Sequence, residues 1–167
     1  ACEAQPEYLT NAQRAAVQKL RYVVEGRRSA VLLAGPAGVG KTLVLEALQA
    51  ELDESVRPFV HIHFPQMPQR ELLAYLADQL GAPKVEPPRY SIDESLGRLE
   101  TFFAANAKDD RHAVVVVDEA HLLEDGVLLE PLRLLLNLRA GPHPAFTLIL
   151  AGQPELRDTL DSPGLKQ

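Results

Sequence analysis

Apolar residues in this chain follow two spacings that take turns along its length. Three short apolar runs read as strands: Ala30-Val31-Leu32-Leu33-Ala34, Ala113-Val114-Val115-Val116-Val117, whose four valines suit a strand buried on both faces, and Thr147-Leu148-Ile149-Leu150-Ala151. A fourth, Phe59-Val60-His61-Ile62-His63-Phe64, alternates as a strand with one polar face does. Helical spacing fills the intervals. Ala16, Val17, Leu20, Val23 and Val24 share a helical face that follows the capping-box pattern Thr10-Asn11-Ala12-Gln13 and stops at Gly26. Leu43 to about Leu52 predicts a second helix, and Pro68 to Leu80 a third, closed by Gly81. Ser91-Ile92-Asp93-Glu94 is another capping signal and opens a helix to about Ala107. The leucine-rich segment Leu122 to Leu138 is helical, with Pro131 at a helix start or a kink, and Glu155 to Leu160 makes a short last helix. Three prolines make Ala82 to Tyr90 a loop. Strands alternating with helices predict an α/β three-layer sandwich. Its sheet is mainly parallel, and ligands bind at the carboxyl ends of the strands.

The first strand leads into Gly35-Pro36-Ala37-Gly38-Val39-Gly40-Lys41-Thr42, which fits the P-loop pattern in its required strand, loop, helix context. A polyphosphate needs many donors at short range and no side chains in the way. Glycines at 35, 38 and 40 let the backbone wrap with its N–H groups inward, and the following helix adds the positive end of its dipole. Lys41 supplies a mobile charge for the β- and γ-phosphates, and the Thr42 hydroxyl is placed to ligate Mg²⁺. An ordinary glycine-rich turn has no reason to carry the Lys-Thr pair.

The valine-rich strand ends in Asp118-Glu119. Beside the P-loop strand, Asp118 would hold Mg²⁺ through its water shell and Glu119 would polarise the attacking water. The alternative is two solvated acids at a strand end. Gln153 ends the last strand. If that strand lies between the other two, Gln153 can reach the γ-phosphate or the attacking water; otherwise it is a turn glutamine before Pro154. The tetrad Asp118-Glu119-Ala120-His121 also occurs in a helicase class, but the chain has room for one domain and no further helicase motif, so His121 reads as opening the next helix, the alternative being a sensing role near the γ-phosphate. His61 and His63 share a strand face, yet no cysteine or third histidine stands near them to complete a metal site. Ala107-Lys108-Asp109-Asp110 lacks the asparagine of a guanine-reading motif, which favours ATP over GTP.

With 167 residues the chain is large enough for one domain with its own core. A formal charge of −6 disfavours nucleic-acid binding, apart from a local patch such as Arg27-Arg28. A single cysteine, Cys2, excludes an internal disulfide and suits a reducing compartment. No apolar stretch approaches membrane-spanning length and no signal peptide is visible, so a cytoplasmic location is expected.

With these strand ends in place, the chain resembles the AAA+ P-loop ATPases. More narrowly, it resembles the ExeA/GspA-type ATPases of general secretion, a group close to the TniB/TnsC-like ATPases of transposition. The resemblance covers nearly the whole chain. It rests on Tyr8-Leu9-Thr10, the run Gly35 to Thr42, Val117-Asp118-Glu119-Ala120-His121, Leu132-Arg133-Leu134-Leu135-Leu136-Asn137-Leu138 and Leu150-Ala151-Gly152-Gln153-Pro154-Glu155-Leu156-Arg157. The resemblance implies a Walker A role for Gly35 to Thr42, a Walker B role for Asp118, catalysis by Glu119 with Lys41, and a sensor role for Gln153. It implies ATP and Mg²⁺ as ligands, with adenine near Tyr8 and Leu9. It also implies homo-oligomers that rearrange secretion or envelope-assembly partners, with DNA the less favoured partner, and a full-length protein anchored at the inner membrane. Arg139 stands where an acidic residue often follows Asn-Leu in this group. The family's arginine finger, fifth strand and helical lid fall beyond Gln167, so residues 1–167 are expected to form one AAA+ domain lacking them. By the same analogy the four long strands, numbered along the chain, would lie in the order 1-4-3-2, leaving the P-loop strand at an open sheet edge. Turnover is expected to be slow, since such a finger is worth about 10³–10⁵ in rate.

Overall fold

Two strands in which every residue is buried form the middle of the sheet: β3 (Ala113–Val117) and β6 (Phe146–Gly152). They carry the β-branched and aliphatic runs that suit a strand covered on both faces. The flanking strands β1 (Ala30–Ala34) and β2 (Phe59–Ile62) are only partly buried and lie at the edges. The order is β1-β6-β3-β2, and every pairing is parallel. In this computed structural model the described residues are 8–63, 67–86, 91–120 and 129–160.

Helices cover both faces. On one, α1 (Asn11–Glu25) and α2 (Lys41–Glu51) pack Val17, Leu20, Val24, Leu45 and Leu48 against Val114, Val116, Ile149 and Ala151. On the other, α3 (Gln69–Leu80) and α4 (Ile92–Lys108) pack Leu72, Leu73, Leu76, Leu99 and Phe103 against Val115, Val117, Leu148 and Leu150. Alternate residues of β3 and β6 therefore serve opposite cores, as the two-residue period of a strand requires. Phe103 stacks on Phe146 with ring centroids 5.1 Å apart, joining α4 to the central strand.

The helix ends follow the sequence signals. Thr10 caps α1 in a complete capping box with Gln13, Ser91 caps α4, and Gly81 closes α3 in the left-handed conformation. Part of the leucine-rich segment is α5 (Leu129–Leu136), which includes Pro131; its predicted beginning at Leu122 lies outside the described residues. One feature departs from expectation. A small antiparallel hairpin, β4 (Arg139–Ala140) with β5 (His143–Pro144), stands between α5 and β6 and turns at Gly141, whose φ is +66°. α6 (Glu155–Leu160) follows β6 directly.

Candidate functional site

The strand order decides the site. β6 lies between β1 and β3, so the condition set for Gln153 is met and the carboxyl ends of all three strands meet at one edge. Register ties them closely: Ala34 pairs with Gly152, Val117 with Leu150, and the Gly35 amide donates to the Gly152 carbonyl at 3.1 Å. A cavity of about 230 Å³ opens there, lined by Ala37, Gly38, Gly40, Lys41, Thr42, Asp118, Glu119 and Gln153. A larger hollow of about 550 Å³, lined by residues that include Pro83, Ser91 and Arg98, carries none of these groups.

The loop between β1 and α2 is shaped by its glycines. Gly38 and Gly40 have φ of +77° and +90°, which L side chains rarely adopt. A Cβ at Gly40 would also collide with the Gln13 side-chain amide. Gly40 is the N-cap of α2 and has no side chain with which to cap it, so the helix turns uncapped amides toward the cavity. Gly35, Pro36 and Val39 belong to the loop but do not line the cavity. The Gly35 and Pro36 carbonyls accept from Lys41 Nζ at 2.8 and 3.0 Å, and the Val39 carbonyl accepts from Gln13 Nε2 at 2.9 Å. Gln13 thus braces the loop from α1, a role that the sequence showed only as a helix cap.

Asp118 is 5% exposed and fully engaged. Its Oδ1 accepts from the Glu119 amide at 2.9 Å, while Oδ2 faces Thr42 Oγ1 at 3.5 Å and His61 Nε2 at 3.3 Å. Glu119 has φ +51°, the left-handed region that costs a non-glycine residue roughly 1–2 kcal/mol. Strain of this kind is characteristic of functional sites, and here it turns the chain sharply at the strand end. Burial lowers the His61 pKa, His63 lowers it further, and Asp118 works in the opposite direction. His61 joins the site because Ile62 pairs with Val117, bringing the ends of β2 and β3 level. Strand order alone could have signalled this. It supplies the third ligand-type group that sequence reading could not find: His61, His63 and Asp118 present one potential ligand atom each, all within 4.8 Å of one another.

Other sequence candidates lie elsewhere. Tyr8 is exposed and Leu9 is buried in the α1/α2 core. Arg27 donates to the Asp110 carboxylate at 2.6 Å and to its carbonyl at 3.2 Å, so that arginine of the predicted basic patch is ion-paired. His121 lies outside the described residues. Among those residues no helix is long and apolar enough to cross a membrane.

A glycine-shaped amide cradle, a lysine and a hydroxyl at a helix start, and two acids ending a neighbouring parallel strand define a P-loop nucleotide-binding fold. The chain belongs to the AAA domain family, whose model matches residues 24–160. It is 35% identical over 168 residues to General secretion pathway protein A of Aeromonas hydrophila. That match covers 97% of this chain and 29% of the relative's length, so the chain spans under a third of that protein. Among solved structures it is similar to Drosophila ORC bound to DNA (TM-score 0.71, 25% identity, 96% of this chain and 42% of that one). It is also similar to the Aeropyrum pernix ORC2 protein in its ADPNP–ADP complexes (TM-score 0.68, 14% identity, 98% and 47%).

Proposed function

We propose that this domain binds ATP with Mg²⁺ and hydrolyses it, as the motor of a GspA-like protein that rearranges secretion or envelope-assembly partners. The observation that carries the reading is the approach of Thr42 Oγ1 to Asp118 Oδ2, 3.5 Å apart, with Lys41 and Glu119 lining the same cavity. A hydroxyl and a carboxylate converging beside an uncapped helix start suit a cation chelated by a polyphosphate. When bound, Mg²⁺ neutralises charge developing on the phosphate oxygens.

The chain's own groups do the rest. Uncapped amides of the loop and of α2 hold the phosphates. Lys41 exchanges its two carbonyl acceptors for phosphate oxygens, a short swing because those acceptors line the same loop. Glu119, at the rim and partly exposed, orients a water for in-line attack and takes its proton. Gln153, between the two halves, hydrogen-bonds the terminal phosphate or that water. The fit to General secretion pathway protein A supports the secretion role, and the family supports a homo-oligomeric assembly.

The test is Glu119→Gln beside Lys41→Ala. Glu119→Gln should keep nucleotide affinity by calorimetry and lose phosphate release; Lys41→Ala should lose affinity. Wild-type phosphate release by Glu119→Gln would sink the hydrolytic reading.

A DNA-bound ORC among the similar structures raises a second reading, an ATP-dependent DNA regulator of the TniB/TnsC kind. The charge of −6 and the ion-paired Arg27 favour the first. Gel shifts with ATP and duplex DNA at two salt concentrations separate them, since salt-sensitive binding would support the second.

A further inference from the structure

The third ligand-type group beside His61 and His63 has a consequence for which cations this edge can hold. The two histidines stand two residues apart at the end of β2, His61 within the strand and His63 just past it, and their rings stack with centroids 3.9 Å apart. His63 is exposed; His61 is half-buried with Nε2 already 3.3 Å from Asp118 Oδ2. A tetrahedral ion with bonds of about 2.0–2.2 Å needs its ligand atoms roughly 3.3–3.6 Å apart. The three atoms here lie within 4.8 Å of one another, so a modest rotation of the exposed ring closes the set. Two imidazoles and one carboxylate select a borderline ion of the zinc class, whereas Mg²⁺ prefers oxygen and keeps its waters.

We propose that His61, His63 and Asp118 form a three-ligand site for a zinc-class divalent ion, with further positions left to water or another donor. The site shares Oδ2 of Asp118 with Thr42, on the side where the nucleotide's cation would sit. Occupying it turns that oxygen toward the histidines. Zinc and the Mg²⁺-nucleotide then exclude one another, which gives the domain a metal-sensitive off state. The competition rests on the nucleotide reading above; the ion site itself does not.

The experiment is calorimetric titration of the nucleotide-free full chain with ZnCl₂, in a Cys2→Ser background that removes its single cysteine. Cobalt(II) absorption reports the coordination geometry in parallel. Wild type should bind one ion with the intense visible bands of tetrahedral cobalt, and His63→Ala should bind about tenfold or more weakly and lose the bands. His63→Ala touches no group assigned to nucleotide, so it should keep wild-type Mg²⁺-ATP affinity while its phosphate release becomes insensitive to zinc. Equal zinc affinity in wild type and His63→Ala overturns the site, whatever the protein does with ATP. Zinc binding lost in His63→Ala but undisturbed by saturating Mg²⁺-ATP in wild type overturns the competition. A failure of the nucleotide reading shows separately, as unchanged nucleotide affinity in Lys41→Ala.

Discussion

Gln13 Nε2 donates to the Val39 carbonyl at 2.9 Å, so the first turn of α1 holds the tip of the loop that precedes α2. The same side chain completes the capping box, its Oε1 accepting from the Thr10 amide at 2.9 Å. Two variants separate these duties. Thr10→Ala removes the cap and should cost about 1 kcal/mol of stability with nucleotide affinity unchanged. Gln13→Ala removes the brace as well, and nucleotide should bind several-fold more weakly. Denaturant melts and calorimetry on both variants check this; equal affinities would show that the brace does not order the loop.

The glycines of the loop should differ in their tolerance. Gly38 and Gly40 both have positive φ, but a Cβ at Gly38 meets nothing within 4 Å, while one at Gly40 meets Gln13. Gly38→Ala should pay only the conformational strain, about 1–2 kcal/mol. Gly40→Ala should suffer that strain and also displace the Gln13 amide, so it should bind nucleotide several-fold more weakly than Gly38→Ala. A Gly40→Ala protein that binds as well as Gly38→Ala would contradict the packing at the loop tip.

His112 gives the fold a specific acid sensitivity. It is buried, its Nε2–H donates to Thr147 Oγ1 at 2.9 Å, and that hydroxyl donates to the Arg28 carbonyl at 2.6 Å. Burial first, then Arg27 and His143, lower its pKa from 6.5 to about 4. Between those values the unfolded chain binds the proton and the folded chain does not. The stability is therefore complete above about pH 6.5 and is lost as pH falls toward 4, by about 3 kcal/mol in all. Urea melts at pH 7.5 and pH 5 should show about 2 kcal/mol of this loss, and His112→Gln, which keeps a donor near Thr147 and cannot take the proton, should flatten the dependence. An equal pH slope in His112→Gln would assign the acid sensitivity to other groups.

Arg98 is a polar fastener inside the α3/α4 layer. Its guanidinium donates to Asp78 Oδ1 at 2.6 Å and to the Pro83 and Ala82 carbonyls at 2.8 and 3.3 Å, with the side chain 9% exposed. Removing it leaves partly buried acceptors unpaired, so Arg98→Ala should lose roughly 2–3 kcal/mol. Arg98→Lys should recover little of this, because one ammonium cannot reproduce the planar fork. Thermal denaturation of the two variants decides it; a fully stable Arg98→Lys would mean that charge alone is required.

Much of the architecture is legible in the chain because the signals are local. Caps at Thr10 and Ser91 and the stop at Gly81 act within one helical turn. The run that became β3 is apolar at every position, and β6 is apolar but for the buried Thr147. The hairpin at Arg139–Ala140 and His143–Pro144 was not legible, since two-residue strands carry no periodicity. β2 ends at Ile62, one residue before His63 and within the run predicted as strand.

By itself the sequence determined the alternating α/β plan and a glycine loop ending in Lys41-Thr42, because φ preference, apolar period and helix capping are written in neighbouring residues. The residues left the strand order open and only the family resemblance implied it; the tertiary structure places β6 between β1 and β3, so that Gln153 joins Thr42 and Asp118. It alone put His61 on the Asp118 carboxylate and Gln13 on the loop tip. Such contacts depend on strand order and register, which are set by burial of the whole sheet between two helical layers and leave no mark on the short segments they connect.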